Sequence, residues 1–123
     1  MCIRDSLYTI ESNFKKRYPL ALENFKKSDL SDFITPILGH APEAIPEEPK
    51  NFDFAFFDAT KYEHLSFFQN LENRINKGGI IATDNINSHR KELQEYIDYV
   101  DAKPNWHSEI FSLGTGLMIS YHR

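Results

Sequence analysis

The chain has one cysteine, no excess of basic residues and no long apolar run, and each shortage argues against a class of protein. A lone Cys2 cannot form an internal disulfide, which suits a reducing compartment, so we predict a cytoplasmic location. No run approaches the length of about 18 apolar residues that a membrane-spanning helix needs. The net charge of -4 provides no general basic face for a polyanion, which disfavours a purely electrostatic nucleic-acid binder.

What the sequence does contain is enough apolar material for one globular domain. Its 123 residues are 41% hydrophobic and 14% aromatic, which allows one real core. The opening residues, MCIRDS, do not fit the pattern that follows and lack the apolar stretch of a signal peptide. We interpret residues 1–6 as a non-native leader and begin the fold prediction at Leu7.

Strand-like and helix-like segments alternate from Leu7 onward. The apolar spacing predicts strands at residues 7–10, 33–38, 52–57 and 79–83, helices at 14–27, 63–76 and 88–100, and a hairpin from 106–113 and 117–121. Gly78-Gly79 is the predicted stop of the second helix, and Ser88 is a possible cap of the third. The helical spacing predicts these inward residues: Leu65, Phe68, Leu71 and Ile75 on the second helix, and Leu93, Tyr96, Ile97 and Val100 on the third. This order predicts an α/β fold: a Rossmann-like, mainly parallel sheet with helices on both faces and a C-terminal antiparallel β-hairpin.

Polar residues follow three of the predicted strands. Glu11, Asp58 and the pair Asp84-Asn85 each stand where a strand ends, and Lys61 comes three residues after Asp58. In parallel sheets the ligand site lies outside the carboxyl ends of the strands, so these residues are expected to converge on one rim. The alternative for any one of them is an ordinary turn-forming residue.

The chemistry of this predicted rim is that of a hard cation. Two carboxylates and an amide oxygen suit Mg²⁺, Ca²⁺ or Mn²⁺ better than zinc. Such a cation can draw a substrate hydroxyl toward its alkoxide form, and Lys61 could take the proton. Glu11 stands where an acidic residue binds ribose hydroxyls in nucleotide-binding folds.

Several blocks of this sequence resemble one enzyme family. LYTIE, ENFKKSDLSD, ILGHA, FDFAFFDATK, GGIIATDN and GTGLMIS are similar, in this order, to blocks of the class I S-adenosylmethionine-dependent O-methyltransferases of the cation-dependent catechol and caffeoyl-CoA branch. The resemblance extends from Leu7 to the end of the chain. It implies transfer of a methyl group from the sulfonium of S-adenosylmethionine to a hydroxyl activated by a divalent cation, with Mg²⁺ the expected ion.

The same resemblance assigns roles to individual residues. It implies that Glu11 holds the cofactor ribose, that Gly39, His40 and Ala41 lie beside the adenine, and that Asp58 also lies at the cofactor. It further implies a cation bound by Asp58, Asp84 and Asn85, with Lys61 as the base. His40 departs from the acidic or small polar residue that is usual in the family. His89 is a further candidate contact for substrate or metal, with a solvated surface histidine as the alternative.

The family's first strand and glycine-rich loop have no counterpart in this sequence. They are expected about 20 residues before the residue that matches Glu11, whereas only ten residues precede it here. We therefore expect residues 7–123 to be the C-terminal part of one methyltransferase domain, inactive alone. The strands at 7–10 and 52–57 are then expected either to pair directly or to leave a poorly stable fragment that is prone to aggregate.

Two other readings of the sequence stay open at this point. A phosphoacceptor receiver domain also has an aspartate at a strand end, like Asp58, and a lysine-proline pair, like Lys103-Pro104, but it needs two acidic residues where Glu11-Ser12 supplies one. A non-catalytic Rossmann-like binding module is the other. For an enzyme, the hydroxyl substrate could be a small phenol, a CoA ester, a sugar or a modified tRNA base, with a homodimer as the usual assembly in the family.

Overall fold

A computed structural model describes residues 6–123, which form two compact units. The first unit ends at Pro46 and the second runs from Glu47 to Arg123. All but one of the residues of the predicted leader lie outside the described residues. In the described part of the chain, no helix has the length and apolar character needed to cross a membrane.

The first unit is a two-stranded parallel sheet with one helix. It consists of β1 (Leu7–Glu11), α1 (Arg17–Lys27), a short 3-10 turn and β2 (Ile34–Leu38). β1 and β2 run in register from Leu7 beside Ile34 to Glu11 beside Leu38. Pro36 lies in β2, which has a single partner strand among the described residues. The N–H that proline lacks is therefore not needed for hydrogen bonds to a second neighbouring strand.

The second unit is a four-stranded mixed sheet. Its strands are β3 (Phe52–Phe57), β4 (Ile75–Asp84), β5 (Trp106–Phe111) and β6 (Leu117–His122), arranged in the order β3-β4-β6-β5. β3 and β4 are parallel, while β6 is antiparallel to both β4 and β5. The helices are α2 (His64–Leu71) and α3 (Arg90–Asp101). The predicted α/β class and the C-terminal hairpin are both confirmed.

One face of this sheet forms the core of the second unit. Phe57, Ile81 and Met118 project from it into the apolar faces of α2 and α3, and all three are buried. The inward residues predicted for α3 are confirmed as fully or nearly fully buried: Leu93, Tyr96, Ile97 and Val100. Burial of each large apolar side chain contributes about 1.5–3 kcal/mol, so this face is the main source of the unit's stability.

The opposite face of the same sheet is apolar but open. Phe54 and Phe56 of β3 are 56% and 54% exposed, and Phe111 and Tyr121 at the other side of this face are 47% and 44% exposed. β3 has β4 as its only partner among the described strands, and β1 pairs with β2, not with β3. The expected direct pairing of β1 with β3 is therefore not observed, and the low stability given as its alternative stays a prediction.

Three predicted helix ends differ from the structure, and the first is the start of α1, which lies at Arg17 instead of residue 14. α2 ends at Leu71 instead of residue 76, because Arg74 and Ile75 already belong to the β3-β4 contact: Phe52 N donates to Arg74 O at 2.6 Å, and Phe52 pairs with Ile75. Gly78 and Gly79 consequently lie within β4 and do not end a helix. The N-cap of α3 is His89 rather than Ser88, and no side chain caps this helix.

Candidate functional site

Asp84 is the last residue of β4, and Asp58 directly follows the neighbouring strand β3 at the same edge of the sheet. The parallel register pairs Phe57 of β3 with Thr83 of β4, so each carboxylate stands at or just past the carboxyl end of its strand, one residue beyond a paired position. Adjacent strands lie about 4.8 Å apart. The register thus brings the two predicted carboxylates to neighbouring positions.

Lys61 is held against Asp58 by the short turn that leads into α2. Its Nζ donates to Asp58 Oδ1 at 3.2 Å, and the lysine side chain is 14% exposed while that of Asp58 is 53% exposed. A pair with such an exposed carboxylate contributes at most about 1 kcal/mol. Asp58 can therefore exchange its lysine partner for another cation at small cost.

Asn85 occupies a backbone conformation that few residues adopt. Its φ is +60°, in the left-handed region that asparagine tolerates better than most residues. The turn directs its N–H to Asp84 Oδ1 at 2.8 Å and its Nδ2 to Thr115 Oγ1 at 2.9 Å. The second carboxylate oxygen of Asp84 and the amide oxygen of Asn85 have no hydrogen-bond partner among residues 6–123, so both can accept a ligand.

The loop between β5 and β6 fixes this turn, and the sequence prediction missed its role. Thr115 O accepts hydrogen bonds from the N–H groups of Asn87 and Ser88 at 3.0 and 3.1 Å. Gly116 has φ +95°, and a Cβ there would stand 2.7 Å from the side chain of Asn87. The motif Gly114-Thr115-Gly116, which was predicted only as a hairpin turn, thus supports Asn85.

Two buried polar side chains lie behind these segments. His64, at the start of α2, is fully buried, and its Nδ1 lies 3.0 Å from Thr60 O; because a carbonyl only accepts, Nδ1 carries the proton. Tyr96 Oη and Thr83 Oγ1 are 2.9 Å apart in the core. Burial raises the pKa of Tyr96 well above its usual range, so the phenol stays protonated and can share this hydrogen bond.

Burial lowers the pKa of His64 below its ordinary value of 6.5. As the pH falls below about 6.5, the unfolded chain binds a proton at this histidine before the folded chain does. The free energy of unfolding is therefore expected to fall, by at most about 1.4 kcal/mol per pH unit from this group. Urea unfolding at about pH 7.5 and about pH 5.5 measures the loss.

The matched variants for this prediction are His64→Leu and His89→Gln. The first removes the buried histidine and should reduce the dependence of stability on pH, and the second replaces an exposed histidine for comparison. An unchanged pH dependence in His64→Leu would contradict the assignment.

The predicted ribose and adenine residues meet in the first unit. Glu11 ends β1 and Gly39 follows β2, and Gly39 N donates to Glu11 O at 3.1 Å. A Cβ on Gly39 would stand 2.7 Å from Cβ of Ala44, so only glycine fits against the turn formed by residues 40–44. Glu11 Oε1 accepts from Asn13 N at 2.8 Å and pairs with Arg17 Nε at 3.4 Å.

The predicted site residues thus form two groups, one in each unit. Asp58, Lys61, Asp84 and Asn85 belong to the second unit, and Glu11 with Gly39, His40 and Ala41 to the first. Their convergence on one rim stays a prediction. His89 is exposed at the start of α3, with its Nδ1 3.0 Å from Ser88 Oγ. Within residues 6–123 no group of three or more His, Cys, Asp or Glu side chains is placed to hold a metal; the predicted set has two carboxylates and an amide.

Comparison with known proteins identifies the family. A family profile described as O-methyltransferase matches residues 5–102. The tapetum-specific methyltransferase 1 of Arabidopsis thaliana is 28% identical over 123 aligned residues, which cover 83% of this chain and 53% of that protein. A second Arabidopsis protein, named for the caffeoyl-CoA O-methyltransferases, is 35% identical over 74 residues, covering 58% of this chain and 32% of its own length.

Solved structures of methyltransferases share the fold. The SAH-bound methyltransferase of Podospora anserina gives a TM-score of 0.86 at 17% identity. The structural match covers 96% of this chain and 61% of that protein. The O-methyltransferase of Bacillus cereus in complex with SAH gives 0.84 at 16% identity, with 96% and 63% covered. The chain spans about half the length of the first curated relative and about three fifths of these two structures. Because the family profile covers most of its residues, the chain belongs to the O-methyltransferase family.

Proposed function

We propose that the protein containing these residues transfers a methyl group from S-adenosylmethionine to a hydroxyl of a small molecule, with a divalent cation, Mg²⁺, at Asp58, Asp84 and Asn85. The observation that carries this proposal is the pair of carboxylates at adjacent strand ends with Lys61 3.2 Å from one of them. Family membership and the SAH-bound relatives support the reaction and the cofactor.

The donor set at these strand ends suits a hard cation. Asp58 is half exposed. Among residues 6–123, one carboxylate oxygen of Asp84 has no hydrogen-bond partner, and the left-handed turn at Asn85 leaves its amide oxygen available. These are oxygen ligands of the kind that Mg²⁺ and Mn²⁺ prefer, and no sulfur ligand is near in the sequence. When bound, the cation would favour the deprotonated form of a substrate hydroxyl, and the sulfonium would supply an electrophilic methyl group.

Lys61 would take the proton in this proposed reaction. The cofactor would supply the methyl group to the hydroxyl oxygen, and its sulfur would keep the electron pair of the broken carbon–sulfur bond as a neutral thioether. The hydroxyl proton would pass to Nζ of Lys61, the proposed base. Asp58, 3.2 Å away, then stabilises the ammonium that forms.

The first unit would hold the nucleoside part of the cofactor. A glutamate oxygen can accept hydrogen bonds from ribose hydroxyls, and Oε2 of Glu11 has no hydrogen-bond partner among the described residues, whereas Oε1 bonds to Asn13. Gly39, His40 and Ala41 follow the neighbouring strand, where they would lie beside the adenine.

We also propose that these residues are part of a longer, cytoplasmic enzyme. Three observations support this extension: the share of the relatives that is covered, the edges of β1 and β3 that have no partner among the described strands, and the open face with Phe54 and Phe56. The extension is tested by sequencing the source DNA upstream of the codon for Leu7. A frame that continues through a β-rich run into a glycine-rich loop would support it, and a genuine start at Leu7 would favour the non-catalytic binding module.

Cation binding tests the chemistry of the site directly. Electron paramagnetic resonance of Mn²⁺ should detect binding to this chain. Asp58→Asn or Asp84→Asn should lower the affinity for Mn²⁺ by at least about tenfold, because mutating even a hydrogen-bond partner of a metal ligand lowers affinity by that factor. Asp101→Asn, an exposed aspartate at the end of α3, is the matched control and should bind as the parent does. Absence of Mn²⁺ binding, or equal binding by all three variants, would refute the proposed cation site.

A further inference from the structure

His64 is an unexpected residue at its position. It has no exposed surface and lies among aromatic rings, with ring centroids 5.6 Å from Phe57, 5.4 Å from Phe67 and 6.0 Å from Tyr96. Its Nε2 is buried and has no hydrogen-bond partner among residues 6–123. A buried polar atom without a partner destabilises the folded state. An apolar side chain of similar volume would pack here at lower cost.

Any favourable polar interaction of His64 must therefore come from its other ring nitrogen, Nδ1. Nδ1–H donates to the carbonyl of Thr60 at 3.0 Å, and the same carbonyl accepts the N–H of Glu63 at 3.1 Å. Thr60 directly precedes Lys61, and Lys61 forms the ion pair with Asp58. The imidazole thus fastens the start of the turn that presents both side chains.

The segment that carries Asp84 is fastened to the same aromatic cluster. Tyr96, whose ring meets that of His64 edge to face at 6.0 Å, hydrogen-bonds to the hydroxyl of Thr83. Thr83 directly precedes Asp84. One buried cluster therefore anchors the backbone on both sides of the candidate cation site, once through an imidazole and once through a phenol.

We propose that His64 is a positioning residue: its hydrogen bond to Thr60 O holds Lys61 and Asp58 in place. Its unpartnered Nε2 lowers the stability of the fold in return. The inference rests on the proposed function in assigning a cation to Asp58. Outer partners of metal ligands typically change affinity by about 10–100-fold when they are removed.

Two variants separate this role from ordinary core packing. His64→Leu keeps an apolar side chain of similar size but has no donor, and His64→Asn keeps a side-chain N–H close to the position of Nδ1. If His64 only packed the core, the affinity for Mn²⁺ would follow the stability of each variant. The positioning role predicts the opposite order: His64→Leu should be at least as stable as the parent in urea, yet bind Mn²⁺ about 10–100-fold more weakly. His64→Asn should bind within about threefold of the parent, even if its smaller side chain lowers its stability.

A second readout does not depend on the cation. Hydrogen exchange of the Glu63 amide, followed by NMR, reports whether the turn at Thr60 is held. It should accelerate by at least about tenfold in His64→Leu and return toward the parent rate in His64→Asn, because the loss of about 1.4 kcal/mol of local stability is a factor of ten. Unchanged Glu63 exchange in His64→Leu would overturn the proposal, as would Mn²⁺ affinity that follows stability.

The two readouts also distinguish failure of this proposal from failure of the proposed function. If the parent protein binds no Mn²⁺, the cation site is wrong, and Glu63 exchange alone decides whether His64 positions the turn. If the parent binds Mn²⁺ and His64→Leu binds it equally well with unchanged exchange, the cation site stands and the positioning role fails.

Discussion

Replacing Phe68 with alanine is expected to lower the free energy of unfolding of the second unit by about 3–5 kcal/mol. Phe68 has no exposed surface and lies at the centre of an aromatic cluster, with ring centroids 6.0 Å from Tyr96, 5.9 Å from Tyr99 and 5.1 Å from Trp106. Removing the ring loses its burial and leaves a cavity between α2, α3 and β5. A domain of this size is typically stable by about 5–15 kcal/mol, so this variant should be close to unfolding.

Phe54→Ala is the matched control for this prediction. It makes the same chemical change on the open face of β3, where the ring is 56% exposed. We expect a loss of no more than about 1 kcal/mol, the range of strand propensities. Urea unfolding followed by circular dichroism compares the two. Equal losses would mean that the core does not lie on the face covered by α2 and α3.

Replacing Lys61 with methionine is expected to reduce methyl transfer by the complete enzyme by about 10²–10⁴-fold, the usual contribution of a general base. Methionine keeps the length and the apolar stem of the side chain but cannot accept a proton. The rate of S-adenosylhomocysteine formation with a panel of phenols as methyl acceptors measures the effect. Mn²⁺ affinity should change little, since Lys61 is not an expected ligand.

Lys77→Met is the matched control for that experiment, because Lys77 is exposed on β4 and has no place in the proposed site. Its rate should equal that of the parent enzyme. A Lys61→Met enzyme that keeps more than about a third of the parent rate would rule out the lysine as base. Loss of both rate and Mn²⁺ affinity would instead assign Lys61 to the structure of the cation site.

The sequence predicted the parts of this fold that depend on local pattern. The alternation of strands and helices, the hairpin with its Gly114-Thr115-Gly116 turn, and the inward face of α3 are all confirmed. Failures occurred where tertiary pairing overrides a local signal. Gly78-Gly79 resembles a helix stop, yet pairing of Ile75 with Phe52 makes the same segment a strand. On α2, Phe68 and Leu71 were correctly predicted to be inward. Leu65, also predicted to be inward, is only half-buried, and the burial of His64 and Phe67 was missed.

The candidate site could be predicted in type but not in its supports. Strand ends with carboxylates are visible in a sequence because strand ends and polar residues are both local features. The contact of Thr115 with Asn85 joins residues 30 positions apart, and no periodicity indicates it. The burial of His64 was not predicted from the sequence, and the hydrogen bond of its Nδ1 to Thr60 O is a property of the folded turn.

The sequence contains one tryptophan, and its location makes it an optical probe of one unit only. Trp106 is buried in the second unit, stacked on the ring of His122 at 4.7 Å and packed edge to face on Phe68. Its fluorescence will respond to loss of that environment and not directly to events in residues 6–46. Circular dichroism averages over the whole chain. Comparing the two signals during denaturation therefore reveals whether the two units unfold together, without any label or added tryptophan.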